Sequence, residues 1–529
     1  MNRREFLSLQ ARPAAASLER YDGPWDAARV AHLLRRAVGS PSVSELRAAS
    51  AMSMDALVDA ILTAPASLPS PSGWLGDVVN AQGFPWYDRR FDLNTEYFVE
   101  LRRWWYAQLV NGGLSARERL TLFWHNHFAS NGNLFDDPRL LYHQNQLLRR
   151  HALGSFRDLV RAVTVDKAML IFLDGKHNKA ATVNENYARE LQELFTVGVA
   201  DNDGAPNYSQ SDIMEAAKAL TGWDWIGFGT SGDVTSNPLT GHDSSTKQVY
   251  GQSIAGALDG APELERLLDI LFAHEATARY VVRKLYRFFA HTDVPLTPVH
   301  PIAEEIETNI IAPLAETFRS SNWSIAAVLR RLFTSRHFYE EDIVGSAIRS
   351  PVDFYVGILR STMTAPMTGD AGDRFFDVAQ RRAKTLGMDL FFPPGVQGWQ
   401  FHRSWISTTT LPQRHAWADE LLGGVGVRLR RRANALFPDM VETRDGTARI
   451  DVLAFARQFA SFDDAPALVA DIARHMLAYP ASPRILARLE LELVGDRAYE
   501  WADAPDDVRL VRLRAMLRAL FRSSNFQLT

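Results

Sequence analysis

The chain has 529 residues, of which 46% are hydrophobic and 23% are charged, so it can bury a large core in one large domain or a few subdomains. Its 58 basic residues nearly balance its 62 acidic residues, and the formal net charge of -4 lacks the positive field typical of nucleic-acid binding. The chain contains no cysteine, which excludes disulfides, thiolate nucleophiles and thiolate metal sites.

The N-terminus begins like an export signal but does not continue like one. Residues 2–7 read Asn-Arg-Arg-Glu-Phe-Leu, which resembles the start of a twin-arginine leader. The following stretch contains Arg12, Pro13 and Glu19, whereas a signal needs an apolar run of about 7–15 residues. We therefore expect residues 1–24 to be a degenerate leader or a disordered N-terminus. This favours a cytoplasmic location, with periplasmic export as the alternative, and no window is apolar enough to predict a transmembrane helix.

Helical periodicity and capping residues recur along the chain and predict a mainly α-helical fold, a large multi-helix globular domain with long irregular loops and at most a small hairpin. Residues 64–88 are rich in proline and glycine and predict a surface loop. The hairpin is expected between residues 223 and 260. The predicted helices of the first half are 27–38, 92–110, 116–129, 138–150, 155–165, 182–198 and 209–220.

In the second half, the run Phe392–Trp399 contains two prolines and two glycines and predicts a rigid aromatic loop. The four arginines between Arg428 and Arg432 predict a solvated helix face. We expect residues 25–420 to form the main helical domain and residues 421–529 to form a C-terminal helical segment packed on it. The predicted helices here are 263–272, 277–290, 301–318, 325–333 and 351–361, with four more helical segments after residue 410.

The stretch Phe123–Phe128 places His125 and His127 among aromatic residues. Two imidazoles on an aromatic wall are typical of a site for proton transfer or ligand binding. Helix residues two apart point about 200° away from each other, so the two histidines cannot chelate one metal as a simple pair. At the predicted helix C-terminus the macrodipole favours imidazolium, and Asn131–Gly132 predicts a left-handed stop. The alternative for each histidine is a core side chain hydrogen-bonded to a carbonyl group.

Glu190 and Glu193 are three residues apart on a predicted helix, which places both carboxylates on one face. Together with His127 they would form a carboxylate and imidazole site for a divalent metal ion, of the kind that helical bundles build in their interiors. The alternative is a surface helix on which Arg189 pairs with Glu193.

His242, Asp243 and Lys247 lie in a Gly/Ser-rich segment, where they predict a mobile lid that carries an acid or base. The alternative is an Asx-type turn with an exposed imidazole. Trp223 and Trp399 are candidate cofactor-binding or ligand-binding residues, since exposed tryptophans on glycine-rich loops favour a carbohydrate or peptide groove. Their alternative is a structural role.

Taken together, these stretches resemble the domain-of-unknown-function 1800 (DUF1800) family, from about Trp25 to the C-terminus. The resemblance implies a bacterial, mainly helical protein that is often encoded beside a member of the DUF1501 family, and it implies no established reaction. The stretches that carry it are residues 31–36, 123–128, 184–195 and 219–223, His242-Asp243 with Lys247, Ser350-Pro351, residues 392–399 and residues 523–528.

Two functions are consistent with these observations. The first is an enzyme with a His- and Glu-lined pocket and a divalent metal ion as its candidate cofactor. Its candidate catalytic residues are His125, His127, Glu190, Glu193, His242, Asp243 and Lys247. The second is a non-catalytic binding or assembly protein that presents its tryptophans to a polymer or to a DUF1501-type companion. We also expect Phe123–Phe128, residues 184–195 and Phe392–Trp399 to converge, since distant aromatic segments readily share a core.

Overall fold

The computed structural model describes residues 17–63, 69–70, 91–135, 137–201, 204–225, 233–292, 301–400, 402–434, 437–494 and 500–529. Helices dominate these ranges, and the strands in them form three two-stranded antiparallel sheets. The predicted mainly α-helical fold is confirmed. The N-terminal leader over residues 1–16 and the predicted loop over residues 64–68 and 71–88 lie outside the described residues.

Six of the seven predicted helices of the first half begin and end within a few residues of their predicted bounds, and the exception is α9. The structure also has α2, α3 and α8, for which no bounds were predicted. The helices of this half are α1 Ala27–Ala37, α2 Val43–Ser50, α3 Met54–Leu62, α4 Phe91–Asn111, α5 Arg117–His127, α6 Pro138–His151, α7 Phe156–Thr164, α8 Lys167–Phe172, α9 Asn186–Glu190 and α10 Gln210–Ala219. The short strands that follow are β1 Trp223–Trp225, β2 Val234–Ser236, β3 Lys247–Val249 and β4 Gln252–Ile254. Two hairpins therefore occupy the region where the sequence predicts one.

The second half adds a helix that the sequence analysis missed, α17, and a longer hairpin. Its helices are α11 Gly260–Ala273, α12 Glu275–Phe289, α13 Pro301–Ile306, α14 Ala312–Ser320, α15 Ile325–Phe333, α16 Pro351–Thr362, α17 Gly369–Thr385, α18 Thr410–Gly423, α19 Val452–Ala456, α20 Ala465–Met476, α21 Pro483–Val494 and α22 Asp506–Arg522. The hairpin is formed by β5 Val425–Asn434 and β6 Phe437–Ala448.

The predicted helix face at Arg428–Arg432 is wrong, because these residues lie on β5. Val427 and Leu429 are buried, whereas Arg428 is exposed and pairs with Asp445 on β6. Side chains that alternate between buried and exposed have the period of a strand. The alternation of Val427, Arg428, Leu429 and Arg430 is visible in the sequence and outweighs the helical interpretation of the arginines.

The predicted helix over residues 182–198 begins later and changes its winding. Thr182 pairs with Lys179 in a tight turn, and α9 starts at Asn186 without a side-chain cap. From Leu191 to Thr196 the chain continues as a π-helix. Such segments are rare and are often found at functional sites. Gly198 follows the end of this segment with a φ of 82°, in the left-handed region that favours glycine.

Ser115 and Glu118 have the spacing of a capping box, but no such box forms at the start of α5. Ala116 occupies the N-cap position and makes no side-chain hydrogen bond to the helix. Glu118 turns instead towards α6, where it forms a buried ion pair with Arg149. Because a charged pair between two helices fixes their relative position, Glu118 contributes to packing rather than to capping.

Helix α5 lies between the two hydrophobic clusters of the described residues. Phe123 and Trp124 belong to one cluster, which includes residues of α1, α7, α11, α12 and α15. Leu122 belongs to the other, which includes residues of α4, α16, α20 and α22. Since both clusters pack against α5, this helix is buried on nearly all sides and holds its polar residues in the interior.

Candidate functional site

The C-terminal turn of α5 faces a cavity of about 220 Å³. Asn126 is the one residue of α5 that is partly exposed, and it lines this cavity together with His127. The remaining wall comes from the π-helix, from α12 and the residues after it, and from the aromatic loop. Phe123 of α5 also lines the cavity, and the residues from the other segments are Leu194, Tyr280, Lys284, Arg287, Thr292, Val396, Gln397 and Trp399.

A backbone hydrogen bond fastens the aromatic loop to α5. The N–H of Trp399 donates to Asn126 Oδ1 over 2.6 Å. A Cβ at Gly398 would lie 2.2 Å from the same Oδ1, and Gly398 has a φ of 78°. Both the approach and the backbone conformation therefore require glycine at this position.

The loop after α5 makes a second connection to the aromatic loop. The N–H of Gly132 donates to the carbonyl oxygen of Phe391 over 2.8 Å, and a Cβ at Gly132 would lie 2.7 Å from the ring of Phe392. The predicted left-handed stop at Asn131–Gly132 is wrong, since α5 ends at His127 and Asn131 has a φ of -103°. Gly132 is needed for close packing and not for a turn.

The predicted convergence of the three aromatic stretches is confirmed. His127 Nε2 lies 3.0 Å from the carbonyl oxygen of Phe195, which joins α5 to the π-helix. The rings of His125 and Trp399 are 5.4 Å apart, which joins α5 to the aromatic loop.

His127 is a neutral imidazole with one unused nitrogen. Its Nε2 faces a carbonyl oxygen, so Nε2 carries the proton and Nδ1 carries the lone pair. Within the described residues Nδ1 has no hydrogen-bond partner. Burial, and secondarily the charge of Lys284, holds the pKa of His127 well below its usual value. The expected imidazolium is therefore wrong, because the cost of burying the charge outweighs the helix macrodipole.

His125 points away from this cavity into an aromatic box. Its ring centroid lies 5.1 Å from that of Trp105 and 5.3 Å from that of Phe391. Burial lowers the pKa of His125 to about 3, and its Nε2 has no partner among the described residues. The geometry assigns His125 a packing role.

Lys284 is the functional candidate that the sequence analysis missed. Its Nζ lies 3.2 Å from the carbonyl oxygen of Leu194 and 3.5 Å from Tyr280 Oη. Burial and the neighbouring charge of Arg287 lower the pKa of Lys284 to about 7. The sequence contains one indication of this role. Lys284 stands between the apolar residues Val282 and Leu285 of a helix, where its amine would face the interior.

The end of the π-helix explains how these groups are gathered. The last carbonyl groups of a helix have no partner within it and accept hydrogen bonds from elsewhere. The Leu194 carbonyl accepts from Lys284 and from Tyr280 Oη, the latter at 3.1 Å. The Phe195 carbonyl accepts from His127. Two successive carbonyl groups therefore position three side chains of the cavity wall.

Glu190 and Glu193 fit the surface alternative better than the metal site. Arg189 lies 2.6 Å from Glu185 and 3.5 Å from Glu193, and Tyr208 donates to Glu193 over 2.5 Å. Burial, and secondarily the charge of Glu193, raises the pKa of the half-buried Glu190.

Across the described ranges, no group of three or more His, Asp or Glu side chains is arranged to hold a metal ion. The structure thus does not assemble His127, Glu190 and Glu193 into one.

The predicted lid at His242, Asp243 and Lys247 is part of the packed interior. Lys247 Nζ lies 2.6 Å from Glu263 Oε2, and His242 Nε2 lies 3.3 Å from Glu263 Oε1. The side chains of His242, Lys247 and Glu263 are fully buried, whereas that of Asp243 is partly exposed. Lys247 also donates to the carbonyl oxygen of Asp243. The Asx-type turn of the alternative is present, since the N–H of Ser245 donates to Asp243 Oδ1 over 2.8 Å. Its exposed imidazole is wrong, because α11 supplies Glu263, which the sequence analysis did not consider.

The two candidate tryptophans are buried rather than presented to solvent. The exposed fraction is 6% for Trp223 and 3% for Trp399. Trp223 belongs to the first hydrophobic cluster, and Trp399 forms one wall of the cavity. They do not line an open carbohydrate or peptide groove.

Comparison with known proteins identifies the family of the chain but not a reaction. A family model described as "Protein of unknown function (DUF1800)" matches residues 32–528. Searches of curated proteins and of solved structures found no match to the chain. Of the helices in the described ranges, none is both long and apolar enough to cross a membrane.

Proposed function

Because the chain belongs to the DUF1800 family of proteins of unknown function, we propose its function from the cavity beside α5: an enzyme that transforms a small organic molecule, with Lys284 as its reactive amine. The observation that carries this proposal is a buried amine that is held by the Leu194 carbonyl at the wall of this cavity.

The protonation state of Lys284 supports this proposal. With a pKa of about 7, a large fraction of Lys284 is neutral at neutral pH, whereas a lysine at its usual pKa of 10.5 is almost wholly protonated. A neutral amine can act as a nucleophile or a general base. His127 remains neutral under the same conditions, so it adds no positive charge beside the amine.

The size of the cavity limits the substrate. An engineered protein cavity of about 150 Å³ holds benzene, which has six heavy atoms. By this measure the 220 Å³ cavity accommodates a compound of about nine heavy atoms. A polymer would have to enter by its end, so a small metabolite is the better match.

Other functions have weaker support. Metal binding by Glu190 and Glu193 has little support, because in the described residues no three His, Asp or Glu side chains are grouped so that they could hold a metal ion. An assembly role beside a DUF1501-type protein would need exposed tryptophans to contact the partner, but Trp223 and Trp399 are buried.

Carbamylation by cyanate tests the reactive amine. Cyanate is small enough for the cavity and reacts with neutral amines, and peptide mass mapping locates the product. At pH 7 we expect Lys284 to react at least about tenfold faster than Lys384, because a pKa near 7 leaves about half of the amine neutral. Lys384 is the matched control, since its side chain is 63% exposed.

Turnover tests the enzymatic assignment. The purified protein is incubated with a mixture of small metabolites, and consumption is followed by mass spectrometry. We expect the wild type and Lys384→Met to consume a compound that Lys284→Met leaves intact. Equal carbamylation of Lys284 and Lys384, or consumption that survives Lys284→Met, would overturn the proposal.

A further inference from the structure

We infer that the substrate is a small oxo acid, a carbonyl compound with a carboxylate group, and that Lys284 binds its carbonyl carbon as an imine. The inference rests on the proposed function and specifies the substrate class of the same site. It follows from the hydrogen bonds of Lys284, from the second cation in the cavity and from the cavity's size.

The hydrogen bonds of Lys284 leave the lone pair of its neutral amine available. A neutral amine has two N–H donors and one lone pair. Its described partners are the Leu194 carbonyl oxygen and Tyr280 Oη. Tyr280 has a single O–H, which donates to the Leu194 carbonyl, so Tyr280 accepts from Lys284 rather than donating to it. Both partners therefore engage N–H groups, and neither occupies the lone pair that attacks a carbonyl carbon.

The reaction needs only proton transfers that water can relay. The Nζ lone pair forms a bond to the carbonyl carbon, and the C=O π-electrons move to oxygen. The new ammonium gives a proton through water to the alkoxide, which leaves a neutral carbinolamine. The carbinolamine hydroxyl then leaves as hydroxide, and the nitrogen loses its last proton to that hydroxide, which becomes water. The balance is amine plus carbonyl giving imine plus water, without an oxidant or reductant.

A second cation in the cavity, Arg287, indicates which group the other end of the substrate carries. Arg287 lines the same cavity one helical turn after Lys284, and its charge contributes to the lowered pKa of Lys284. A guanidinium at that position suits a carboxylate, with which it forms charge-assisted hydrogen bonds. Phe123, Val396 and Trp399 provide apolar wall for the carbon skeleton between the two polar ends.

Borohydride trapping with pyruvate tests the inference on the wild-type protein. Pyruvate is the smallest oxo acid of this class, and hydride reduction of its imine leaves a stable carboxyethyl group on the amine. Peptide mapping then compares three lysines in one sample: Lys284, the exposed Lys384 and the buried, paired Lys247. We expect Lys284 to carry at least about tenfold more adduct than either of the others at pH 7, since about half of its amine is neutral at that pH.

Replacing Arg287 tests the carboxylate end separately. In Arg287→Met, pyruvate trapping at Lys284 should fall about tenfold, whereas trapping of the uncharged propanal should change by less than about twofold. Acetate, which has no reactive carbonyl group, should compete with pyruvate in the wild type.

The outcomes separate this inference from the proposed function. Selective carbamylation of Lys284 by cyanate without selective pyruvate trapping would overturn the oxo-acid inference and leave the reactive amine intact. Failure of both reactions at Lys284 would overturn both. Pyruvate adducts spread evenly over Lys284 and Lys384 would also reject the imine site.

Discussion

Arg149 holds Glu118 at two points: its Nε lies 2.7 Å from Oε1 and its Nη2 lies 2.8 Å from Oε2. Both residues are buried, and the pair links α5 to α6. We expect Glu118→Gln to lower the free energy of unfolding by about 3–5 kcal/mol, because it leaves a buried guanidinium without its counter-charge. Urea unfolding measures the change. The matched control is Asp506→Asn, which removes the exposed partner of Arg457 and should cost less than about 1 kcal/mol. Equal losses in both variants would contradict the prediction.

The buried Lys247 and Glu263 predict a non-additive pair. Glu263→Gln should destabilise the protein by about 3–5 kcal/mol, because Lys247 would remain charged in a fully buried position. Adding Lys247→Met to Glu263→Gln should recover part of this loss, since the double variant has no unpaired charge. A double-mutant cycle by chemical denaturation measures the coupling. Simple addition of the two single effects would show that the ion pair is not coupled.

Buried histidines predict steep acid destabilisation. Burial lowers the pKa of His32 and His125 to about 3 and that of His475 to about 4, and it holds that of His127 well below 6.5. The unfolded chain binds these protons below pH 6.5, whereas the folded protein does not. Stability is therefore retained above pH 6.5 and falls as the pH drops, by about 1.4 kcal/mol per pH unit for each histidine. Unfolding curves between about pH 6 and pH 5 should show a smaller slope in His125→Phe. An unchanged slope would contradict the assignment.

Lys284 should produce a dependence of the same sign in a higher pH range. Its folded pKa is about 7 and its ordinary value is 10.5, so between these values the unfolded chain binds more protons. The contribution of Lys284 to wild-type stability should increase by about 2–3 kcal/mol from about pH 6 to pH 9. The difference in unfolding free energy between wild type and Lys284→Met measures it at each pH. A difference that is constant with pH would show that the amine has no depressed pKa.

Glu190→Gln separates a metal ligand from a surface carboxylate. Burial and the charge of Glu193 raise the pKa of Glu190, so removing its charge should leave the melting temperature unchanged or slightly higher at neutral pH. Elemental analysis of wild type and variant should give equal metal content. Metal that is stoichiometric in the wild type and lost in the variant would restore the predicted metal role.

Local features of the sequence predict the helices better than the site. The capping box at Ser209 and Asp212 forms at the start of a predicted helix, because a cap depends on residues within one turn. The box at Ser115 and Glu118 fails because Glu118 has a stronger partner on another helix. Tertiary partners of this kind cannot be inferred from spacing alone.

The site itself was predicted in part. The convergence of α5 with the aromatic loop was expected from aromatic residues, and the contact between Asn126 and Trp399 confirms it. The role of Lys284 depends on a π-helix carbonyl 90 residues earlier in the chain. The apolar stripe of one helix does not indicate which carbonyl group of a distant segment its lysine will contact. The sequence analysis therefore emphasised Glu190 and His242 instead.

The hydrogen bond between Trp399 and Asn126 spans 273 residues of sequence and closes one side of the cavity. A compound that binds there would contact segments from distant parts of the chain at once and would bind only when all of them are folded. By mass action, such a compound at a hundred times its Kd would stabilise the folded protein by about 2.7 kcal/mol. Resistance to proteolysis would then report occupancy in mixtures of unassayed compounds, so the fold itself can serve as the detector for its ligand.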